Sequence, residues 1–238
     1  MASQRTLCHL VLERLAKAGV LEDILLIGSW CLEGYKSYFG RKTPLTTLRT
    51  RDIDFLIPRP ARLRASVDVP TLLADLGFVA DFHRGGYIRL IHPELIVEFL
   101  VPERGRGTDR PVRLPQMKMN AQALRFLNML AESTITATLE GIPVRMPHPA
   151  AFALQKLLIA PRRQGRTGKQ AKDLDAAVAV LEALRAHGEI ESVRRHFESM
   201  PTRWQARIRQ VLGTRQELGN FEAFLQQSTK KENRMRPK

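Results

Sequence analysis

The chain has 238 residues, of which 44% are hydrophobic and 26% charged, as in globular proteins with a sizeable core. No apolar run approaches the roughly 20 residues that a membrane-spanning helix needs. Two cysteines, Cys8 and Cys31, are too few for a disulfide framework, so we expect a cytoplasmic protein without a membrane segment. The net charge of +14 favours a polyanionic partner such as nucleic acid, although a basic surface kept for solubility would give the same value.

The first elements lead to a glycine-serine turn. Apolar residues at helical spacing predict an amphipathic helix over residues 3–17, followed by a short strand over residues 24–27. Gly28 and Ser29 come next, and a helix begins at Trp30. Such a turn offers backbone N–H groups and the positive end of a helix dipole to a phosphate. Taken alone, it is more often an ordinary turn with a helix cap.

A second strand begins with two acids in alternation, Asp52 and Asp54. Side chains alternate faces along a strand, so both carboxylates point one way while Ile53 faces the core. They repel each other unless a cation lies between them, and Mg²⁺ bound to a triphosphate would supply one. Taken alone, the same pattern is common on solvated strand edges. Arg49 and Arg51, just before the strand, fit either a phosphate site or a solvated loop.

A single acid lies in the last of three further strands. A helix is predicted over residues 69–76, and the strands over 78–82, 87–91 and 95–101. Glu98 is the acid, and a lone carboxylate in an apolar strand is costly to bury without a partner. It either pairs with an arginine or shares a cation with the two aspartates. The presence of the aspartate pair favours the cation.

The segment after these strands contains a basic loop, predicted over residues 104–113, and a helix, predicted over residues 116–131. Two strands, over 134–139 and 142–146, are predicted to form a hairpin. The sequence Pro147-His148-Pro149 indicates a boundary. We therefore expect a core domain, a helical domain and a basic disordered tail, at residues 1–147, 148–229 and 230–238.

The helical part begins with a segment that is apolar on nearly every side and whose single charge is Lys156. A lysine in such a helix usually extends its ammonium group to solvent along the core, but it could also be directed at a phosphate or a base. Asp173 lies on the next helix and is the candidate to face Lys156 or the site. Asp175 is two residues further on, about 200° around the helix, and cannot share that face.

These features, in this order, resemble the nucleotidyltransferase superfamily, and within it the type IV abortive-infection (AbiEii-like) toxin nucleotidyltransferases. The resemblance covers about two-thirds of the chain, residues 25–180. Its motifs are Gly28-Ser29 with the stretch RTRDID ending at Asp54, the strand IVEF around Glu98, the helix LQKLLIA around Lys156, and KDLD around Asp173. The chain departs from many members at Ile27, where they have a second glycine.

The resemblance implies an α+β fold, in which a nucleotidyltransferase-type mixed sheet flanked by helices is followed by a C-terminal helical domain. It implies NTP as a substrate and a two-metal Mg²⁺ site. The implied metal ligands are Asp52, Asp54 and Glu98. The implied nucleotide-binding residues are Gly28, Ser29, Arg49, Arg51 and Lys156. The implied catalytic residues are Asp52, Asp54, Glu98, Lys156 and Asp173.

We therefore expect a Mg²⁺-dependent enzyme that transfers a nucleoside monophosphate from an NTP to an acceptor hydroxyl, with Glu98 accepting the hydroxyl proton and pyrophosphate leaving. The net charge favours RNA, such as a tRNA 3′ end, as the acceptor. The resemblance adds a toxin with a cognate antitoxin as partner. The alternatives are a catalytically silent nucleic-acid-binding module and an enzyme that modifies a protein or a small molecule.

Overall fold

The computed structural model describes most of the chain, namely residues 3–40, 42–45, 50–59, 61–103, 105, 110–163, 165, 168–214 and 218–225. The chain divides into two compact units, residues 1–148 and residues 149–238. In the described part of the chain, no helix is both long enough and apolar enough to cross a membrane. Arg49 and the predicted C-terminal tail lie outside the described residues.

Within the described residues, the first unit contains a seven-stranded mixed sheet and a separate hairpin. The sheet strands are β1 Leu25–Ile27, β2 Asp52–Leu56, β3 Val79–Phe82, β4 Ile88–Ile91, β5 Ile96–Pro102, β6 Val112–Leu114 and β7 Met119–Leu124. The hairpin strands are β8 Thr134–Leu139 and β9 Ile142–Pro147. The sheet order is β1-β2-β5-β4-β3, with β7 beside β5 and β6 beside β7. The β2–β5 and β5–β7 pairs are parallel and the others antiparallel, which confirms the predicted mixed sheet.

Helices accompany these strands, as predicted. They are α1 Gln4–Lys17, α2 Cys31–Phe39, α3 Val69–Ala74 and α4 Asn128–Glu132. Helix α1 begins where the Ser3 hydroxyl accepts a hydrogen bond from the Thr6 backbone N–H at 3.2 Å, which satisfies one of the free donors of the first turn. Leu7, Val11 and Leu15 are buried along one side of α1, so the amphipathic pattern reports its core-facing side.

The predicted helix over residues 116–131 is wrong. Six of its sixteen residues form β7, which pairs with β5 and β6, and helix α4 occupies only its end. The segment is rich in Met, Gln, Ala and Leu, which are good helix formers. However, Met119 and Ala121 are buried while Asn120 and Gln122 are half exposed, which is the period of a strand. Pairing with β5 outweighs the helix propensity of these residues.

One face of the sheet is apolar. Ile53 and Phe55 of β2 and Val97 and Phe99 of β5 are buried, and the two phenylalanine rings stack with centroids 5.5 Å apart. Leu90 continues this face on β4. Because side chains alternate, the residues between these positions are placed on the opposite face of the sheet, where the charged groups lie.

The second unit is helical in its described part. Its helices are α5 Pro149–Ile159, α6 Lys169–Ala186, α7 Ile190–Ser199 and α8 Thr202–Leu212, followed by a helical segment over residues 218–225. Helix α5 is buried along almost its whole length and packs against α6, α7 and α8. This arrangement confirms the predicted C-terminal helical region.

Candidate active site

The glycine-serine turn lies between β1 and α2. Residues Gly28–Trp30 form a single 3-10 turn that leads into α2, and no side chain caps it. Gly28 has a φ of +74°, a conformation that other residues rarely adopt. A Cβ built on Gly28 would overlap Asp54 Oδ2 and lie 3.2 Å from Asp54 Cγ. Two separate features therefore require glycine at position 28: the positive φ and the Asp54 carboxylate that packs against it.

The two aspartates lie on the face of β2 opposite the core. Asp52 is exposed, Asp54 is half buried and Ile53 between them is fully buried, which confirms the predicted alternation. Asp54 is the register partner of Ile27 on β1 and of Glu98 on β5. Neighbouring strands lie about 4.8 Å apart, so the backbone brings Asp54 and Glu98 side by side, next to the glycine-serine turn.

Glu98 has an arginine on its other side. Arg89 of β4 is its antiparallel register partner, and Arg89 Nη1 lies 3.9 Å from Glu98 Oε1. The short hydrogen bonds of Arg89 go elsewhere: its Nη2 and Nε donate to Asp81 Oδ2 of β3 at 2.6 and 3.1 Å. Glu98 therefore lies between Asp54 and an arginine, and Arg89 is the arginine partner that the sequence left open as the alternative to a shared cation.

Four charged residues thus form a row across the sheet, one from each of four adjacent strands. We call Asp54, Glu98, Arg89 and Asp81 the charged row. Hydrogen bonds from Arg89 to Asp81, together with the negative charges of Asp81 and Glu98, raise the pKa of Arg89 above its usual value. Partial burial and the charge of Glu98 raise the pKa of the neighbouring Tyr87 hydroxyl. The charged row contains three carboxylates and one guanidinium, so its net charge is negative.

The metal ligands implied by the sequence share one face of the sheet, but they do not converge. Among the described residues, no group of three or more His, Cys, Asp or Glu side chains is arranged to hold a metal ion. Of the two arginines before β2, Arg51 is exposed and its Nη2 donates to the His92 carbonyl at 3.1 Å, while Arg49 lies outside the described residues.

The two predicted site residues of the second unit contact each other. Lys156 of α5 and Asp173 of α6 are 7% and 3% exposed, and Lys156 Nζ lies 2.7 Å from Asp173 Oδ1. Arg163 Nη1 lies 3.1 Å from the other carboxylate oxygen. Lys156 Nζ also lies 5.4 Å from the centre of the Phe152 ring. This cluster confirms that Asp173 faces Lys156, and it places two cations on one carboxylate.

We expect Asp173→Asn to lower the free energy of unfolding by about 3 kcal/mol, because the buried Lys156 ammonium then loses the negative charge that compensates it, and the partly exposed Arg163 loses its partner as well. Urea unfolding followed by circular dichroism measures this. Glu182→Gln is the matched control on the same helix, since Glu182 is half exposed and forms an i,i+3 pair with Arg185. That control should change the free energy by less than about 0.5 kcal/mol. Equal changes in the two variants would show that the cluster is only a surface ion pair.

Asp81 and Arg89 were not identified from the sequence. Each is the charged residue of a short strand, in VADF and IRLI, as Glu98 is in β5. That is the signal by which Glu98 was found. The sequence did not show that the three strands are neighbours, and only their pairing joins these residues into the charged row.

A family model described as Nucleotidyltransferase matches residues 6–201. The chain belongs to this family. The match spans both units and includes Gly28, Ser29, Asp52, Asp54 and Glu98. This nucleotidyltransferase is therefore an enzyme, as the order of its motifs predicted.

Solved structures with similarity to this nucleotidyltransferase share little sequence with it. The antibiotic-resistance factor ANT(2'')-Ia in solution is 16% identical over 82% of this chain and 94% of its own, with a TM-score of 0.43. A crystal structure of ANT(2'')-Ia with adenylyl-2''-tobramycin is 15% identical over 82% and 98%, with a TM-score of 0.45. An antigenic nucleotidyltransferase-like protein from Paracoccidioides brasiliensis is 15% identical over 79% and 91%, with a TM-score of 0.39. No curated protein matches the chain.

Proposed function

We propose that this enzyme transfers a nucleoside monophosphate from an NTP to a hydroxyl of RNA, with a tRNA 3′ end as the favoured acceptor. The observation that carries the proposal is the juxtaposition of three groups: the Asp54 carboxylate packs against Gly28 and is paired in register with Glu98. A phosphate-binding turn and two carboxylates at one place are what nucleotidyl transfer needs.

Each of these groups has a part in the reaction. The uncapped turn at Gly28 and Ser29 donates backbone N–H groups to the phosphates of the NTP. Glu98 accepts the proton of the acceptor hydroxyl while that oxygen attacks the α-phosphorus. The bond from the α-phosphorus to the bridging oxygen breaks, and pyrophosphate leaves. Asp54 is held between the turn and Glu98, so it fixes their spacing.

Asp52, Asp54 and Glu98 would hold Mg²⁺. Their chemistry fits the ion, because all the donors are carboxylate oxygens and such hard cations prefer oxygen ligands. The missing Cβ of Gly28 leaves room for the Asp54 carboxylate at the turn. When bound, the ion would neutralise triphosphate charge and make the acceptor hydroxyl easier to deprotonate. The assignment of Lys156 and Asp173, and of Arg51, to nucleotide binding stays a prediction.

The distribution of charge supports RNA as the acceptor. Residues 149–238 contain 18 of the 38 Lys and Arg residues but only 9 of the 24 Asp and Glu residues. Arg194 and Arg209 of this unit lie over the rings of Phe224 and Phe197, at 4.1 and 5.0 Å, and serve packing. Other basic side chains are exposed and can meet a phosphate backbone; they include Arg195, Arg203, Lys169 and Lys172.

The proposal extends to a toxin with a cognate antitoxin, acting in the cytoplasm. It is supported by the motif order from Gly28-Ser29 to Asp173, which resembles abortive-infection toxins. Growth arrest on induction in a bacterial host, relieved by Asp54→Asn, is the expected result.

Label transfer tests the acceptor. Incubation of the enzyme with Mg²⁺, total tRNA and each NTP labelled at the α-phosphate should place label on tRNA and release pyrophosphate. Because basic residues release counterions on binding RNA, the KM for tRNA should rise about tenfold or more between 50 and 200 mM salt. The KM for NTP should change much less.

Other outcomes would contradict the proposal. Label on a protein fraction would assign the enzyme to protein modification, and label on neither tRNA nor protein would favour a small-molecule acceptor. Salt-dependent tRNA binding without pyrophosphate release, unchanged in Asp54→Asn, would indicate a nucleic-acid-binding protein without catalysis.

A further inference from the structure

The charged row contains an arginine for which the proposed reaction has no role. Arg89 lies on β4, separated from Asp54 by the strand that carries Glu98. Asp54 and Glu98 are adjacent like charges, which repel each other across a strand pair. A positive charge on the other side of Glu98 offsets the energy of that repulsion and draws the carboxylate toward itself. Arg89 is the register partner on that side.

The guanidinium of Arg89 is held by a second acid. Its Nε and Nη2 both donate to Asp81 Oδ2, at 3.1 and 2.6 Å. Since the guanidinium is planar and rigid, fixing two of its nitrogens also fixes the third. The third, Nη1, is the one that faces Glu98 Oε1 at 3.9 Å. Asp81 thus determines where the positive charge next to Glu98 is placed.

The distances separate this arrangement from an ordinary ion pair. The two contacts with Asp81 are within hydrogen-bond distance, whereas 3.9 Å to Glu98 is too long for a hydrogen bond. Glu98 is therefore attracted by Arg89 without having one of its oxygens occupied by a hydrogen bond from it.

We propose that Arg89 is a positioning residue that fixes the place of the Glu98 carboxylate from the side away from Asp54, and that Asp81 in turn holds Arg89. The inference rests on the proposed function, because it gives Glu98 its role in the reaction. If the charged row has only a structural role, replacing Arg89 should change only the stability of the protein. The positioning role predicts that the rate of transfer falls while NTP binding is kept.

Steady-state label transfer to tRNA with the preferred NTP and Mg²⁺ tests this. Arg89→Gln should lower kcat about 10- to 100-fold, the loss expected when a reacting group is misplaced by about 1 Å, with the KM for NTP within about twofold of wild type. Arg89→Lys keeps the positive charge but has a single nitrogen in place of the guanidinium, so its kcat should fall less than that of Arg89→Gln. Asp81→Asn should lower kcat about three- to tenfold, because Arg89 remains but is no longer fixed. Arg113→Gln, at an exposed position on β6, is the control and should match wild type.

A structural measurement separates this inference from the proposed function. In crystal structures of the wild type and Arg89→Gln, the Glu98 carboxylate should differ in position by about 1 Å or more. If the wild type transfers no label, the proposed function fails, and the two crystal structures still decide whether Arg89 positions Glu98. An unmoved Glu98, or Arg89→Gln with the kcat of the wild type, would overturn the inference. If Arg89→Gln does not fold, the Asp81→Asn variant decides: a kcat equal to that of the wild type would overturn the inference.

Discussion

Asp54→Asn is expected to reduce pyrophosphate release by about 1,000-fold. Asp54 contacts the glycine-serine turn through Oδ2 and is paired with Glu98, so it joins the turn proposed to bind phosphate to the proposed carboxylate pair. Asparagine keeps the shape of the side chain but removes the charge. The substitution therefore tests the charge of Asp54 with little change in packing.

Rates should be measured with saturating NTP and Mg²⁺, and the thermal unfolding midpoint recorded for each variant. Asp75→Asn is the matched control, because Asp75 makes a surface ion pair with Arg14 at 2.6 Å in the same unit. Surface ion pairs contribute about 0–1 kcal/mol, so this control should keep full activity and nearly full stability. A rate for Asp54→Asn within about tenfold of the wild type would contradict the placement of Asp54 in the site.

Gly28→Ala is expected to reduce the rate by about 100-fold and the free energy of unfolding by about 1–2 kcal/mol. The loss of stability follows from placing a Cβ at a φ of +74°. The loss of rate has a separate cause, because the same Cβ overlaps the Asp54 carboxylate and must displace it.

Gly141→Ala separates the two effects. Gly141 has a φ of +83° in the turn between β8 and β9, and a Cβ there has no atom within 4 Å. Gly141→Ala should lower the free energy of unfolding to the same degree as Gly28→Ala, while its rate of pyrophosphate release stays that of the wild type. If the two variants lose activity equally, backbone strain alone explains the loss and the contact with Asp54 has no role.

Local patterns were enough to predict the conformation of those parts of the candidate site that lie close together in sequence. The alternation in Asp52-Ile53-Asp54 correctly indicated which residues face the core, because a strand has a fixed period of two. The position of Gly28 after a short strand indicated the turn. The nucleotidyltransferase superfamily followed from the order of motifs, and the match over residues 6–201 confirms it, whereas the likeness to abortive-infection toxins stays a prediction.

What the sequence did not show depends on which strands pair. The chain between β2 and β5 forms the β3–β4 hairpin. Strand β4 pairs with β5, which places Arg89 next to Glu98, and β3 pairs with β4, which places Asp81 next to Arg89. No local period carries that information. The error over residues 116–131 has the same origin, because a segment with good helix propensity became a strand once β5 offered it an edge.

The parallel pairing of β2 with β5 also determines where this fold can accept changes in length. Asp54 meets Glu98 through direct strand pairing, and the chain between the two strands only has to return to the correct edge. Insertions at the hairpin tip, near Gly85, should therefore be tolerated. Deleting one residue inside β2 or β5 would turn one acid toward the hydrophobic core, so natural variation and loop grafting should both leave the lengths of these two strands unchanged.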